Sequence, residues 1–241
     1  GGAGMIRLGV PSKGRLMDKT FQWFGARGVT LAKSGSERDY AGTVGGIDGI
    51  ELILLSASEI PRELEAGRLH LGVTGSDLVR EKVAGWDRTL RVMAGLGFGG
   101  ADLIVAVPRA WVDVDSLDDL DAAAAAFRAR HGYRLRIATK YHRLVRDFLR
   151  EHGVADYQLV DSQGATEGAV KNETAEAIAD ITSTGETLRA NGLKVLDGAL
   201  IHASQATLFR SKAATWTDAD RAVLADLEGR LRTLCCSRSS F

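Results

Sequence analysis

AIADITSTGETLRANGL, residues 177–193, is the stretch on which the reading of this chain turns. A short apolar run ends in an acid at Asp180. Thr182, Ser183, Thr184, Gly185 and Thr187 follow, too small and polar for a core, and then LRANGL takes up helical spacing. Strand, turn and helix in that order are the repeating unit of an α/β protein. Outward from it the pattern recurs. Strand-length apolar runs stand at residues 6–10, 50–55, 69–74, 102–107, 134–139 and 157–160. Helix-spaced segments stand at 14–27, 57–67, 75–84, 116–130, 140–152 and 217–234, often opened by Ser, Thr, Asp or Pro. The alternation predicts α/β architecture with parallel sheets.

That is more than one compact five-stranded unit needs. The glycine-rich AGLGFGGADL at 94–103 reads as a crossover between two lobes or, alternatively, as a plain loop, and a second crossover near Gly185 returns the chain. The expected division is 5–102 with 188–241 as one lobe and 103–187 as the other. Residues 122–126, all alanine, extend a helix whose apolar face is Leu117, Leu120 and Phe127. Residues 217–234 form an amphipathic helix capped at Thr217 or Asp218, with Leu224, Leu227, Leu231 and Leu234 on one face. Gly1 to Gly4, ahead of Met5, are set aside as an appended leader.

The 241 residues are 45% hydrophobic and 26% charged, ordinary for a folded globular chain. Lys plus Arg and Asp plus Glu are equal at 31 each, so no bulk positive field exists to collect nucleic acid, and an anionic ligand has to be held locally. No apolar stretch approaches the roughly 20 residues of a membrane helix. The only cysteines, Cys235 and Cys236, are adjacent and offer neither a disulfide framework nor a metal-ligand spacing, which points to a reducing, cytoplasmic setting. The five histidines have no metal spacing either.

The turn after Asp180 has a chemical reading and a bland one. Small side chains and a glycine let successive amides face an anion, and a helix follows, so a phosphate fits there. Asp180, at the carboxyl end of its strand, is placed for vicinal sugar hydroxyls, and the two together suggest a ribose 5-phosphate. The alternative is an ordinary helix cap in a Ser/Thr-rich turn.

Context decides between them. EGAVKNETAEAIADITSTGETL, from Glu167 to Leu188, resembles the signature of the ATP phosphoribosyltransferase family, the first enzyme of histidine biosynthesis. LGVPSKGRL at 8–16, GVTGSDLV at 72–79, GFGGADL at 97–103 and RIATKY at 136–141 resemble other family segments in the same order. Two departures stand out. Glu173 occupies a position that is usually glycine, and Ser56 one where many members have an arginine.

The resemblance implies a two-lobed fold like that of type II periplasmic binding proteins, with the active site in the cleft between lobes. It implies the short form, without an appended regulatory domain, since only a short segment follows Phe209. It also implies a separate regulatory subunit resembling histidyl-tRNA synthetase, and a homodimer within a hetero-oligomer. The implied reaction joins N1 of ATP to C1 of phosphoribosyl pyrophosphate and releases pyrophosphate. Thr182, Ser183, Thr184, Gly185, Glu186 and Thr187 would hold the 5-phosphate, and Asp180 and Glu167 the ribose hydroxyls, Glu167 alternatively a water on Mg2+. Lys13, Arg15 and Arg38 would meet the pyrophosphate, Arg38 as the best remaining cation once position 56 is serine, and Lys140 a phosphate in the second lobe, helped by the Thr139 hydroxyl. Mg2+ would be held mainly by substrate phosphates and water. No general base is required, because N1 of adenine has no proton to lose.

Each of these residues has a plainer reading: Lys13 and Arg15 in a surface turn, Arg38 neutralised by Glu37 and Asp39, Lys140 a helix-end lysine, Glu167 a solvated carboxylate. Two rival functions use the same residues. One is a non-catalytic solute-binding module, against which the sugar-phosphate turn counts. The other is a phosphoribosyltransferase for another base such as orotate; such enzymes show two adjacent acids before the turn, whereas Ala179 precedes Asp180 here.

Overall fold

The structure, a computed structural model, describes residues 5–35, 40–162 and 164–236. The chain separates into two compact units, Gly1–Gly99 with Gln205–Phe241, and Gly100–Ser204.

The first unit contains β1 (Ile6–Pro11), α1 (Gly14–Gly25), β2 (Thr30–Lys33), β3 (Ala41–Gly45), β4 (Ile50–Leu55), α2 (Ile60–Glu65), β5 (Leu71–Gly75), α3 (Ser76–Lys82), α4 (Trp86–Thr89) and β6 (Leu90–Gly95). In the second unit come β7 (Ala101–Pro108), α5 (Leu117–His131), β8 (Leu135–Thr139), α6 (His142–Glu151), β9 (Tyr157–Asp161), a 3-10 turn at Thr166–Gly168, β10 (Ala177–Thr182), α7 (Glu186–Ala190) and β11 (Leu193–Ser204). The chain then returns to the first unit for β12 (Ala206–Ser211) and α8 (Asp218–Cys236). Among the described residues no helix is long and apolar enough to cross a membrane.

The first unit is built on a seven-stranded sheet of order β2-β3-β4-β1-β5-β12-β6. Its centre is parallel, β1 lying between β4 and β5 with Leu8 opposite both Leu52 and Leu71. Strands covered on both faces need apolar residues at consecutive positions, and Ile6, Leu8, Val10, Leu52, Leu71 and Val73 are fully or almost fully buried, packed with Phe24 of α1 and Leu224 and Leu227 of α8. The second unit has a five-stranded sheet of order β11-β7-β10-β8-β9, in which β10, β8 and β9 are mutually parallel and β7 is antiparallel to both β10 and β11. Its core joins Val105, Val107, Ile137 and Ala179 to Leu120 of α5 and Val145 and Leu149 of α6. The alanine-rich helix is closed at its start by a reciprocal cap between Ser116 and Asp119 and at its end by Gly132 at φ 78°.

Two expectations are corrected. The sheets are mixed, not parallel, because β2 and β3 form an antiparallel pair and β12 runs antiparallel to β5 and β6. The second unit closes at Ser204, not at residue 187, because β11 pairs along β7 from Leu193↔Pro108 to Ser204↔Ala101 and so stays in the second sheet. The first crossing, between Gly99 and Gly100, falls inside the predicted glycine-rich stretch.

α8 is fastened at its start. Thr217 and Asp220 exchange side-chain and backbone bonds at 3.1 Å each. His70, 2% exposed, accepts the Arg7 amide at Nδ1 (3.0 Å), so its proton is on Nε2, which donates to the Thr215 carbonyl (2.9 Å). Trp216 meets the same imidazole edge-on at 4.9 Å.

Candidate active site

In an open α/β sheet, loops at the carboxyl ends of parallel strands gather on one edge, where ligands bind. In the second unit those strands are β8, β9 and β10. Lys140 follows β8, Glu167 sits in the 3-10 turn after β9, and Asp180 is within β10, with the 182–187 turn at its end. Topology therefore places all the predicted second-lobe residues on one edge. Glu167, Asp180, Thr182, Ser183, Thr184 and Thr187 line a single cavity of about 150 Å³, with Ile181 and Leu188 completing its wall.

β10 pairs with β7 through Asp180↔Ile104 and Thr182↔Asp102, which fixes the height of the acid in the sheet. Asp180 is half-buried. Loss of solvent lifts its carboxyl above the ordinary value; the Ile181 amide, donating to Oδ1 at 2.8 Å, pulls it down, the nearby Glu167 carboxyl raises it, and the Lys140 charge lowers it. Two carboxyl groups thus face one another across the cavity with an ammonium within electrostatic reach. Ionised, Asp180 is a strong acceptor poorly matched to its dry surroundings until donors such as sugar hydroxyls arrive.

The turn is shaped by its own hydroxyls. Thr182 Oγ1 accepts the Gly185 amide (2.9 Å) and Thr184 Oγ1 the Glu186 amide (3.3 Å). Gly185 is left-handed at φ 77°, which is why a glycine stands here; a Cβ would meet the Arg189 guanidinium, nearest at Nη1, 3.1 Å. Upstream, Glu173 is also left-handed, at φ 58°, and accounts for the usual glycine at that position. Lys140 is exposed, but Thr139 is fully buried and its hydroxyl accepts the Tyr141 amide at 2.9 Å. That bond shapes the entry to α6. His142, the first residue of α6, meets Asp161 at 2.6 Å and ties the start of that helix to the end of β9.

In the first unit, Lys13 occupies the cap position of α1 and Arg15 its first turn, both exposed, at the carboxyl end of β1. Arg38 lies outside the described residues. Ser56, at the carboxyl end of parallel β4, contacts Ser58 through the two hydroxyls at 3.1 Å. Sequence reading passed over Lys82, whose Nζ donates to the Ser58 carbonyl at 2.7 Å and brings an ammonium to that segment. No local signal marks it, because the contact joins the last residue of α3 to a turn ahead of α2.

The family model for HisG, ATP phosphoribosyltransferase, matches residues 56–233. A curated ATP phosphoribosyltransferase of Cereibacter sphaeroides is 73% identical over 214 residues, 89% of this chain and 91% of the relative. The chain belongs to the ATP phosphoribosyltransferase family. Its fold agrees with that membership. A structure described as the ATP phosphoribosyl transferase (HisG:HisZ) complex from Thermotoga maritima matches 98% of this chain and 100% of the other, with a TM-score of 0.71 at 20% identity. A histidine kinase sensor domain described as similar to periplasmic binding proteins matches 98% and 92% of the two chains, with a TM-score of 0.52 at 14% identity. The two-unit α/β fold is therefore that of ATP phosphoribosyltransferases and of periplasmic-binding-protein-like domains.

Proposed function

We propose that this chain transfers the phosphoribosyl group of phosphoribosyl pyrophosphate to N1 of ATP, giving phosphoribosyl-ATP and pyrophosphate, the first step of histidine biosynthesis. One observation supports it above the others: Glu167, Asp180 and the hydroxyl-bearing residues of the turn, Thr182, Ser183, Thr184 and Thr187, share one cavity, in a chain 73% identical to an ATP phosphoribosyltransferase. A solute-binding module of the same fold has no need of a sugar-phosphate turn.

In this reading the turn takes the 5-phosphate through the hydroxyls of Thr182, Ser183, Thr184 and Thr187, while the Gly185 and Glu186 amides hold two of those hydroxyls in place. Asp180 and Glu167 accept hydrogen bonds from the ribose hydroxyls. As the anomeric C–O bond breaks, positive charge develops on the ribose, and the ionised Asp180 lies on the side that favours it. The adenine N1 lone pair forms the new bond to C1 while the C–O electron pair leaves with pyrophosphate, so no proton is moved in the step. Lys13 and Arg15 neutralise the departing pyrophosphate, with Lys82 supplying the cation that serine at position 56 does not; Lys140 meets a substrate phosphate in the second unit. Arg38 is assigned to the leaving group as well.

Mg2+ belongs to the same proposal. A half-buried carboxyl pair, Asp180 and Glu167, suits a hydrated, oxygen-preferring ion that takes its other ligands from substrate phosphates and water. Such an ion offsets charge on pyrophosphate oxygens. The Thermotoga maritima structure is described as a HisG:HisZ complex, which supports a separate partner subunit for this chain; in the proposal that partner is regulatory and resembles histidyl-tRNA synthetase, and the chain forms homodimers inside a hetero-oligomer in the cytoplasm.

The test is to mix the purified chain with ATP, phosphoribosyl pyrophosphate, Mg2+ and pyrophosphatase and to follow phosphoribosyl-ATP by mass and absorbance. Product is expected. Silence with and without the regulatory subunit, together with failure to bind phosphoribosyl pyrophosphate, would restore the solute-binding reading.

A further inference from the structure

α7 is five residues long, too short to persist alone, yet it includes Glu186 and Thr187 of the phosphate turn. Its carbonyl end is filled by side-chain donors that originate far away. Arg109, the residue after β7, donates from Nη2 to the Arg189 carbonyl at 3.2 Å and from its amide to the Gly192 carbonyl at 2.8 Å. Lys171 donates from Nζ to the Ala190 carbonyl at 3.2 Å. Asn191 reaches back to the Thr187 carbonyl at 2.8 Å, and Arg189 to the Thr184 carbonyl inside the turn at 3.4 Å.

Lys171 follows Glu167 in the same short segment, so one ammonium links the stretch bearing Glu167 to the helix bearing Thr187. Arg109 links that helix to the end of β7, the strand on which Asp180 is registered. Among the described residues neither cation is ion-paired with a carboxylate. Two uncompensated positive charges therefore adjoin a turn that has to hold a phosphate dianion.

We infer that Arg109 and Lys171 are positioning residues for the phosphoribosyl end of the site: by occupying the carbonyl end of α7 they set the direction in which the 182–187 turn presents its amides and hydroxyls. Neither touches substrate. The inference rests on the phosphoribosyl-transfer reading and predicts an effect confined to one of the two substrates.

Initial rates with each substrate varied separately, in the presence of the regulatory subunit if turnover needs it, provide the test. Arg109→Ala and Lys171→Ala should each raise KM for phosphoribosyl pyrophosphate about two- to fivefold, and the double variant about five- to twentyfold, the range expected of cations at a helix carbonyl end. KM for ATP and kcat should stay within about twofold, since the bonds lost are ground-state bonds at the sugar-phosphate end. Arg109→Lys and Lys171→Arg should recover most of the affinity, which a purely steric role would not produce; they also decide the matter if the double alanine variant fails to fold. An unchanged KM for phosphoribosyl pyrophosphate in the double variant, or an equal rise for both substrates, overturns the assignment. Wild-type chain that forms no phosphoribosyl-ATP overturns the functional reading instead. Calorimetric titration with ribose 5-phosphate separates the two failures, because the double variant must bind it more weakly than wild type whatever reaction follows.

Discussion

Replacing Glu173 by glycine should make this protein more stable. The residue is left-handed, at φ 58°, where a Cβ crowds the following carbonyl at a cost of about 1–2 kcal/mol. Glycine escapes that cost but gives up roughly 0.5–1 kcal/mol of additional chain entropy on folding. The difference favours the substitution by about 0.5–1 kcal/mol. Among the described residues the exposed Glu173 side chain makes no hydrogen bond or ion pair, and the contacts made here are backbone ones, its amide to the Val170 carbonyl at 3.1 Å and its carbonyl from Arg136 Nη2 at 3.3 Å. For a domain pair of this size the gain corresponds to a rise in Tm of about 1–4 °C. Urea and thermal unfolding at fixed pH are the assay, with Glu173→Ala as the control that removes the carboxylate and keeps the Cβ. The alanine variant should stay within about 0.5 kcal/mol of wild type. A glycine variant no more stable than the alanine variant would refute the argument, since the Cβ would then be costing nothing.

Other outcomes follow from the site and from the α8 anchor. Asp180→Asn should abolish turnover while leaving the fold as stable as wild type or more so at neutral pH. Burial raises the Asp180 pKa on folding, so its stabilising contribution is complete below the unfolded value of about 3.9 and is lost as pH rises through the folded value; urea midpoints measured across pH should fall over that window for wild type and less for the asparagine variant. Gly185→Ala should cost about 1–2 kcal/mol through φ 77° alone and raise KM for phosphoribosyl pyrophosphate, and a variant with normal affinity would show that the turn tolerates another shape. His70→Leu should cost roughly 2–4 kcal/mol by leaving the Arg7 amide and the Thr215 carbonyl unpaired, with partial recovery in His70→Gln; equal loss in both would mean that packing, not the two hydrogen bonds, is what matters.

The parts of the fold legible in the sequence were those in which local pattern and burial agree. β1, β4, β7 and β8 are apolar runs in the middle of sheets, and α5 and α8 have caps that can be read off the chain. β11 escaped because Asp197 and Gly198 interrupt it and its pairing shifts register between Val195 and Leu200, which destroys the alternation a strand should show. β2 and β3 are short and largely exposed, so no apolar stripe marks them. The moved boundary of the second unit is a direct result of missing β11. At the site, Asp180 and its turn were legible because strand, acid and small-residue turn are contiguous, and Glu167 only through family resemblance. Arg109 and Lys82 were not, because each acts on a backbone carbonyl distant in sequence, and no residue type is required at the accepting end.

β12 lies between β5 and β6 in the first sheet, although the whole of the second unit separates it from them in sequence. On the ribosome the second unit, being contiguous, has all its strands available as soon as Ser204 has emerged. The first cannot finish. Until residues 206–211 follow, β5 presents an open edge beside a buried parallel core, and β6 has no neighbour in its sheet. Unpaired apolar edges of this kind template pairing with other chains. The interval between synthesis of Gly75 and of Ser211 is thus the period in which this protein is most exposed to aggregation, and slowing elongation within the second unit lengthens it.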